Sequence, residues 1–388
     1  MIYIIREATV YAPQPLGVCD VLIAGQRIVK IAPNIAITGD DVIEIAARGM
    51  IMMPGMVDSL VHFAGGGGEG GFHTRTPEMP LSDATLAGVT TVIGALGTDR
   101  TTRSLPDLLA KARGLENEGL STYCYTGSYQ LPPRTITGDV TDDIVLIDKM
   151  IGIGEVAIAD HRSSQPLLSE LLRVAADARV AGMLAGKAGI VSIHVGDSDS
   201  QLQLLHDAVQ QSDIPSQQFY PTHMNRNQSL LNAGIQWCRV GGIIDFTTST
   251  NEQFLAEGEI PAAQAVAIAL GEGVNVSQLT MSSDGNASLP VFNEQGQLVG
   301  LEVGRVASLY ESFVQLVQKY NVPIEKAIAV VSTSPASVLK LHRKGRIASQ
   351  LDADIVLLDA QSLAIEHVFG KGRWLVKAGE ALVKGTFE

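Results

Sequence analysis

Charge is scarce in this chain of 388 residues. Asp, Glu, Lys and Arg together supply 18% of it, and the balance is acidic, 28 basic against 41 acidic residues for a net charge of −13. That sign argues against a nucleic-acid or anionic-membrane surface. Aromatic residues are few, 5%, whereas glycine is plentiful at 39 residues. The mix suits parallel strands with tight strand-to-helix loops better than an aromatic-rich sandwich. Cysteine is nearly absent: Cys19, Cys124 and Cys238 lie far apart and form no C-x-x-C pattern. They read as reduced core residues of a cytoplasmic protein. No apolar run approaches the length of about 18 residues needed to span a membrane. The opening Met1-Ile2-Tyr3-Ile4-Ile5-Arg6-Glu7 is too short an apolar run for a signal peptide.

What is present is apolar bulk. Hydrophobic residues make up 46% of a 41.1 kDa chain, which excludes disorder and implies one large α/β domain with an appendage, or two to three domains. Residues 1–54 carry short β runs, Val21–Ile23, Arg27–Ile31 and Val42–Ile45, punctuated by Gly25 and Pro33-Asn34. They are expected to form a small antiparallel sheet. From Met56 the pattern changes to short, continuously apolar strands alternating with helices. Strands are expected at 56–60, 89–95, 121–126, within 150–159, and at 190–194, 219–223, 242–247 and 279–283. Helices are expected over Leu105–Glu118 and Leu167–Ala181, with Pro261 at the first position of another. Eight strands over roughly 290 residues match a (β/α)8 TIM-type barrel. A doubly wound open sheet is the structural alternative, but no G-x-G-x-x-G fingerprint follows the first strand. Ala353–Leu358, His367–Phe369 and Arg373–Val376 return to strand patterns. The reading is a barrel, 55–345, inserted into a discontinuous β-sandwich domain built from 1–54 and 346–388.

Active sites of such barrels lie at the C-terminal ends of the strands. Strand one ends at His62, strand five at His194, strand six at His223 and strand eight at Ser282-Ser283-Asp284-Gly285. One histidine at a strand end is ordinarily a hydrogen-bonded core or surface residue. Three of eight histidines there, with a carboxylate, point to a metal site. His161, His206, His342 and His367 fall in loops or helices and keep the ordinary reading.

Pro54-Gly55-Met56-Val57-Asp58-Ser59-Leu60-Val61-His62 resembles the first metal-binding strand of the amidohydrolase superfamily. More specifically, Gly65-Gly66-Gly67-Gly68-Glu69-Gly70, Thr74-Arg75-Thr76-Pro77-Glu78, Gly97-Thr98-Asp99 and Thr126-Gly127-Ser128-Tyr129 resemble the isoaspartyl (β-aspartyl) dipeptidase family. So do Asp160-His161-Arg162-Ser163, His194-Val195-Gly196-Asp197, Pro221-Thr222-His223-Met224-Asn225-Arg226-Asn227 and Ser282-Ser283-Asp284-Gly285-Asn286. The resemblance covers essentially the whole chain.

The resemblance implies one or two zinc ions, held by His62, Glu155, His194, His223 and Asp284. Two positions depart from the family pattern. Leu60 stands where the first histidine of a His-x-His pair is expected, and Glu155 stands where the family carries a carbamylated lysine. One metal would keep His62, Glu155 and Asp284; the other would keep Glu155, His194 and His223. The second is expected to be the stronger, with His73 the nearest sequence candidate to compensate for Leu60.

By the same resemblance, Glu69 takes the substrate amine, Arg162 and Arg226 its carboxylates, and Gly67, Thr98 and Ser288 further polar contacts. Tyr129 polarises the scissile carbonyl and Asp284 moves the proton. The implied activity is metal-dependent hydrolysis of β-aspartyl dipeptides, with metal-bound hydroxide attacking the side-chain amide carbonyl. A related amidohydrolase acting on a cyclic amide or N-acyl amino acid, or a dipeptide-binding paralogue with impaired catalysis, remains open at this point. A homo-oligomer is expected from the same resemblance.

Overall fold

A computed structural model describes residues 1–293 and 298–388. Its centre is a set of short parallel strands: β1 (Met56–Val61), β2 (Val89–Gly94), β3 (Ser121–Thr126), β4 (Met150–Ile158), β5 (Ile190–Val195), β6 (Phe219–Thr222), β7 (Ile244–Thr247) and β8 (Leu279–Ser282). Strands β1 to β6 form one parallel sheet in chain order, and β7 and β8 pair in parallel beside it. Every residue of β1, β2, β4 and β5 is buried. Burial of both faces is why these strands read as largely apolar runs, the few polar residues within them, such as Asp58 and Glu155, being buried as well.

The sheet curls. Met224 N donates to Asp245 O at 3.1 Å, joining the end of β6 to β7. Beyond β8, Asp284 N donates to Leu60 O at 3.1 Å and His62 N to Gly285 O at 2.8 Å, bringing the chain after β8 against the end of β1.

Local sequence fixes the surrounding helices. Leu105–Glu118 begins where the Ser104 side chain accepts from Asp107 N at 3.2 Å, buries Leu105, Leu108, Ala112 and Leu115, and stops at Gly119. The helix after β4 runs Leu168–Ala185, one turn longer than its apolar pattern suggests. Pro261 precedes its helix, Ala262–Gly271, by one residue; it occupies the cap rather than the first helical position.

Below the strand ends the interior carries polar groups. Asp245 on β7 accepts from the hydroxyls of Thr222 at 2.7 Å and of Thr280 and Ser282 at 2.5 Å. Asp58 on β1 accepts from Ser283 N at 2.9 Å, and burial pushes its carboxyl up to about 7.

The two ends of the chain share one nine-stranded sheet. Met50–Pro54 runs antiparallel to Ile355–Asp359 on one side and parallel to Ile2–Tyr11 on the other. Its core packs Ile5, Val21, Ile23 and Met52 against Ile355, Leu357 and Phe369. Two findings differ from the sequence expectation. The long strands Ile2–Tyr11 and Pro15–Ala24 were not legible as such, and Val42–Ala46 pairs parallel, with Ile2–Arg6, so the N-terminal sheet is mixed. Gly55 carries the chain from this sheet into β1: a Cβ there would lie 2.2 Å from the Thr90 hydroxyl. The three cysteines are buried free thiols.

Candidate active site

The ends of β1, β4, β5, β6 and β8 converge on one cavity of about 450 Å³, within the range of small-molecule sites. Directly behind the histidines at its floor stands Glu155 of β4, fully buried. Its Oε1 lies 3.0 Å from His194 Nδ1 and 3.0 Å from His223 Nε2. Its Oε2 faces the other way, 3.8 Å from His62 Nε2, and has no hydrogen-bond partner. His62 Nε2 in turn lies 3.2 Å from Asp284 Oδ1.

Each histidine aims one nitrogen at this floor and anchors the other outward. His62 Nδ1 donates to Ala95 O at 3.1 Å, His223 Nδ1 meets the Thr247 hydroxyl at 2.5 Å, and His194 Nε2 meets Asp160 Oδ2 at 3.0 Å. Such outer partners fix the tautomer and orientation of metal-ligating histidines. His223 and Asp284 hold left-handed backbone conformations, φ 64° and 53°. Histidine and aspartate tolerate that region better than most residues, and its cost is characteristic of functional sites.

The buried histidines and carboxylates set one another's charge. Burial alone would raise the Glu155 carboxyl, but His194 and His223 outweigh it and hold it well below the ordinary range. Burial, His194 and Arg226 press His223 down to about 4, so its imidazole is neutral, as a metal ligand must be. Burial opposes a charge on His62, yet Asp284 and Glu155 hold it up at about 9.

The donor set fits a divalent metal. Glu155, His194 and His223 each offer a ligand atom within 4.8 Å of one another, and Glu155 Oε2 is buried without a hydrogen-bond partner, while Asp284 Oδ1 faces His62. Leu60 contributes nothing to this set. It is 2% exposed, in an apolar cluster with Val57, Ile93, Tyr125 and Tyr220. His73 is exposed and outside the cavity lining, so it does not stand in for the missing histidine.

The walls carry every other residue singled out from the sequence: Gly67, Glu69, Thr98, Tyr129, Arg162, Arg226 and Ser288. Tyr129 O–H lies 2.8 Å from His194 Nδ1, and burial lifts its phenol well above 10. The Thr98 hydroxyl donates to Glu69 and so orients that carboxylate. Arg226 forms no ion pair among the described residues, and its buried Nε has no hydrogen-bond partner. Arg162 is partly committed: its Nε and Nη2 donate to the two Asp160 oxygens at 3.0 and 2.7 Å, while Nη1 lies 3.8 Å from Glu69. Gly67 holds φ 67°, and a Cβ there would come 2.7 Å from Thr74 O and 3.1 Å from Ser288. His161 lies at the rim of the cavity.

Two residues that sequence reasoning missed hold these groups in place. Asp160 links His194 to Arg162; its only sequence signal was its place beside His161 and Arg162. Buried Arg103 donates to Ala64 O, to Gly66 O at 3.0 Å and to Thr76 O at 2.8 Å, clamping the glycine-rich loop. Nothing in its local sequence marks it.

Residues 222–375 match the model of the amidohydrolase family. The chain is 44% identical to the β-aspartyl dipeptidase of Fervidobacterium islandicum AW-1, solved in complex with a β-Asp-Leu dipeptide; 98% of each chain is covered, with a TM-score of 0.91. It is also 23% identical to a dihydroorotase of Lactobacillus gasseri, over 95% of this chain and 90% of that protein. A dihydropyrimidinase of Brevibacillus agri shares the fold, at 16% identity and a TM-score of 0.67, over 99% of this chain and 97% of that one. Identity of 44% over 98% of both chains settles the family: this chain is an amidohydrolase and belongs to the β-aspartyl dipeptidases.

Proposed function

We propose that this enzyme hydrolyses β-aspartyl dipeptides with one tightly held zinc ion at Glu155, His194 and His223, and a weaker second position at His62, Glu155 and Asp284. The observation that carries the reading is Glu155, whose two oxygens face the two halves of the histidine cluster at the floor of a cavity walled by Arg226, Arg162 and Glu69. When bound, the metal supplies Lewis acidity and lowers the pKa of water towards neutrality.

The chain's own groups do the rest. Arg226, with its unpartnered Nε, takes a substrate carboxylate in a charge-assisted pair. Arg162 Nη1 supports a carboxylate while Asp160 holds the rest of its guanidinium. Glu69 accepts from the substrate α-amine, and Thr98 keeps it aimed. Gly67 N–H and the Ser288 hydroxyl add contacts. Tyr129 O–H donates to the oxygen of the scissile carbonyl as charge develops there. Asp284 Oδ1 accepts the proton of the attacking water and delivers it to the leaving amine.

The same reading places the chemistry in a closed (β/α)8 barrel, residues 55–345. The hydrogen bonds joining the chain after β8 to the end of β1 support closure. Residues 1–54 and 346–388 are read as the β-sandwich appendage, the core between their strands supporting it. No helix among the described residues is long and apolar enough to cross a membrane. A cytoplasmic homo-oligomer completes the proposal. Its test compares hydrolysis of β-Asp-Leu with that of dihydroorotate by zinc-loaded protein. Cleavage of the dipeptide alone supports the assignment; ring opening alone transfers it to the cyclic-amide hydrolases.

A further inference from the structure

One carboxylate in the cavity has no part in the scheme above. Glu259 lines it, on the loop between β7 and the helix Ala262–Gly271, and its Oε1 is buried with no hydrogen-bond partner. The loop is fixed: Glu259 N donates to Phe254 O at 2.9 Å, and Ile260 N to Asn225 O at 2.9 Å. The Asn225 side chain returns a bond to Ile260 O at 2.9 Å. Glu259 is thereby held next to the segment that carries Arg226, without pairing with it. Burial, opposed by Thr250 and Arg226, pushes its carboxyl up to about 7, the behaviour of an acid short of a counter-charge.

The leaving residue of a dipeptide carries its carboxylate and its side chain on the same carbon. In the proposed binding mode Arg226 takes the carboxylate of the leaving residue, which directs that residue's side chain along the cavity wall shared by Arg226 and Glu259. The cavity's lining includes the apolar Phe254, Leu289 and Leu301, and Glu259 with its unpartnered Oε1. Apolar walls with a buried carboxylate suit a methylene stem ending in a cation.

We infer that Glu259 is a specificity residue which selects β-aspartyl dipeptides whose leaving residue has a cationic side chain, lysine or arginine. The inference rests on the dipeptidase reading above.

The test is the ratio of kcat/KM for β-Asp-Lys to that for β-Asp-norleucine, which differ only in the terminal ammonium. The wild-type ratio is expected near tenfold in favour of lysine, and Glu259→Gln should bring it to about one, whichever way the absolute rates move. A wild-type ratio of one overturns the inference, and this arm requires no variant to fold. A lysine preference that survives Glu259→Gln overturns it too, as does an equal loss on both substrates, which would place Glu259 on a group common to them. If metal-loaded wild type cleaves neither substrate, the dipeptidase reading fails and takes this inference with it. Cleavage of both at equal efficiency removes the inference and leaves that reading standing.

Discussion

His194 Nε2 lies 3.0 Å from Asp160 Oδ2, while Nδ1 of the same ring lies 3.0 Å from Glu155 Oε1. One imidazole thus couples the metal floor to a carboxylate that also grips Arg162 through two nitrogens. Asp160→Ala is therefore expected to weaken metal binding by about 10–100-fold, the usual cost of losing such an outer partner. It should also raise KM, because Arg162 loses its anchor. Chelator competition and steady-state kinetics read the two effects separately; loss of one alone would show that His194 and Arg162 are not coupled.

Arg226→Ala should leave metal content unchanged and raise KM for β-aspartyl dipeptides. Losing one partner of a buried charge pair costs about 2–5 kcal/mol. Kinetics equal to wild type would make Arg226 a structural residue.

Glu155→Gln removes the charge shared by both halves of the cluster and should abolish stoichiometric metal binding in elemental analysis of purified protein. Leu60→His should act in the opposite direction, raising the metal-to-protein ratio. It gives up part of the ~1.5–3 kcal/mol that a buried leucine contributes, because Leu60 packs beside Tyr125 and Ile93. A ratio of two in wild type would show that Leu60 is compensated by another ligand.

Asp58 is expected to contribute a pH dependence of stability. Its folded pKa, about 7, exceeds the ordinary value near 4. The neutral carboxyl is thus favoured by folding. That contribution is full below pH ~4 and is lost as pH rises through about 7. Asp58→Asn, which can still accept from Ser283 N, should escape the loss. In urea denaturation its stability relative to wild type should improve between pH 5 and pH 8, by an amount on the order of 1–3 kcal/mol. A constant difference across that interval would mean that Asp58 titrates in its normal range.

The parts legible in the sequence were those decided locally. Leu105–Glu118 carries its own cap, apolar face and glycine stop, so its limits agree with the structure. The buried parallel strands announced themselves as short apolar runs, and their ends gave His62, His194, His223 and Asp284. Ile2–Tyr11 was harder, because Arg6-Glu7 interrupts its apolar pattern at a bulge where Glu7 turns to φ 56°. The hairpin of Ser288–Phe292 with Leu298–Val303 was missed, since Pro290 demotes a strand pattern. In the site, Asp160, Arg103 and Glu259 escaped notice for one physical reason. Each sits in a loop, and its role depends on partners that only the tertiary fold brings near.

The most direct measurement is hydrolysis of β-Asp-Leu against α-Asp-Leu by protein whose zinc content has been determined. The two peptides have the same atoms and charges and differ only in which aspartyl carboxyl forms the amide. In the proposed binding mode, with the α-amine on Glu69 and a carboxylate on Arg226, just one of these amides is presented to Tyr129 and Asp284. With at least one zinc per chain, the β-linked peptide should be cleaved and the α-linked peptide left intact. Zinc-loaded protein that cleaves neither, or cleaves both alike, would contradict the account.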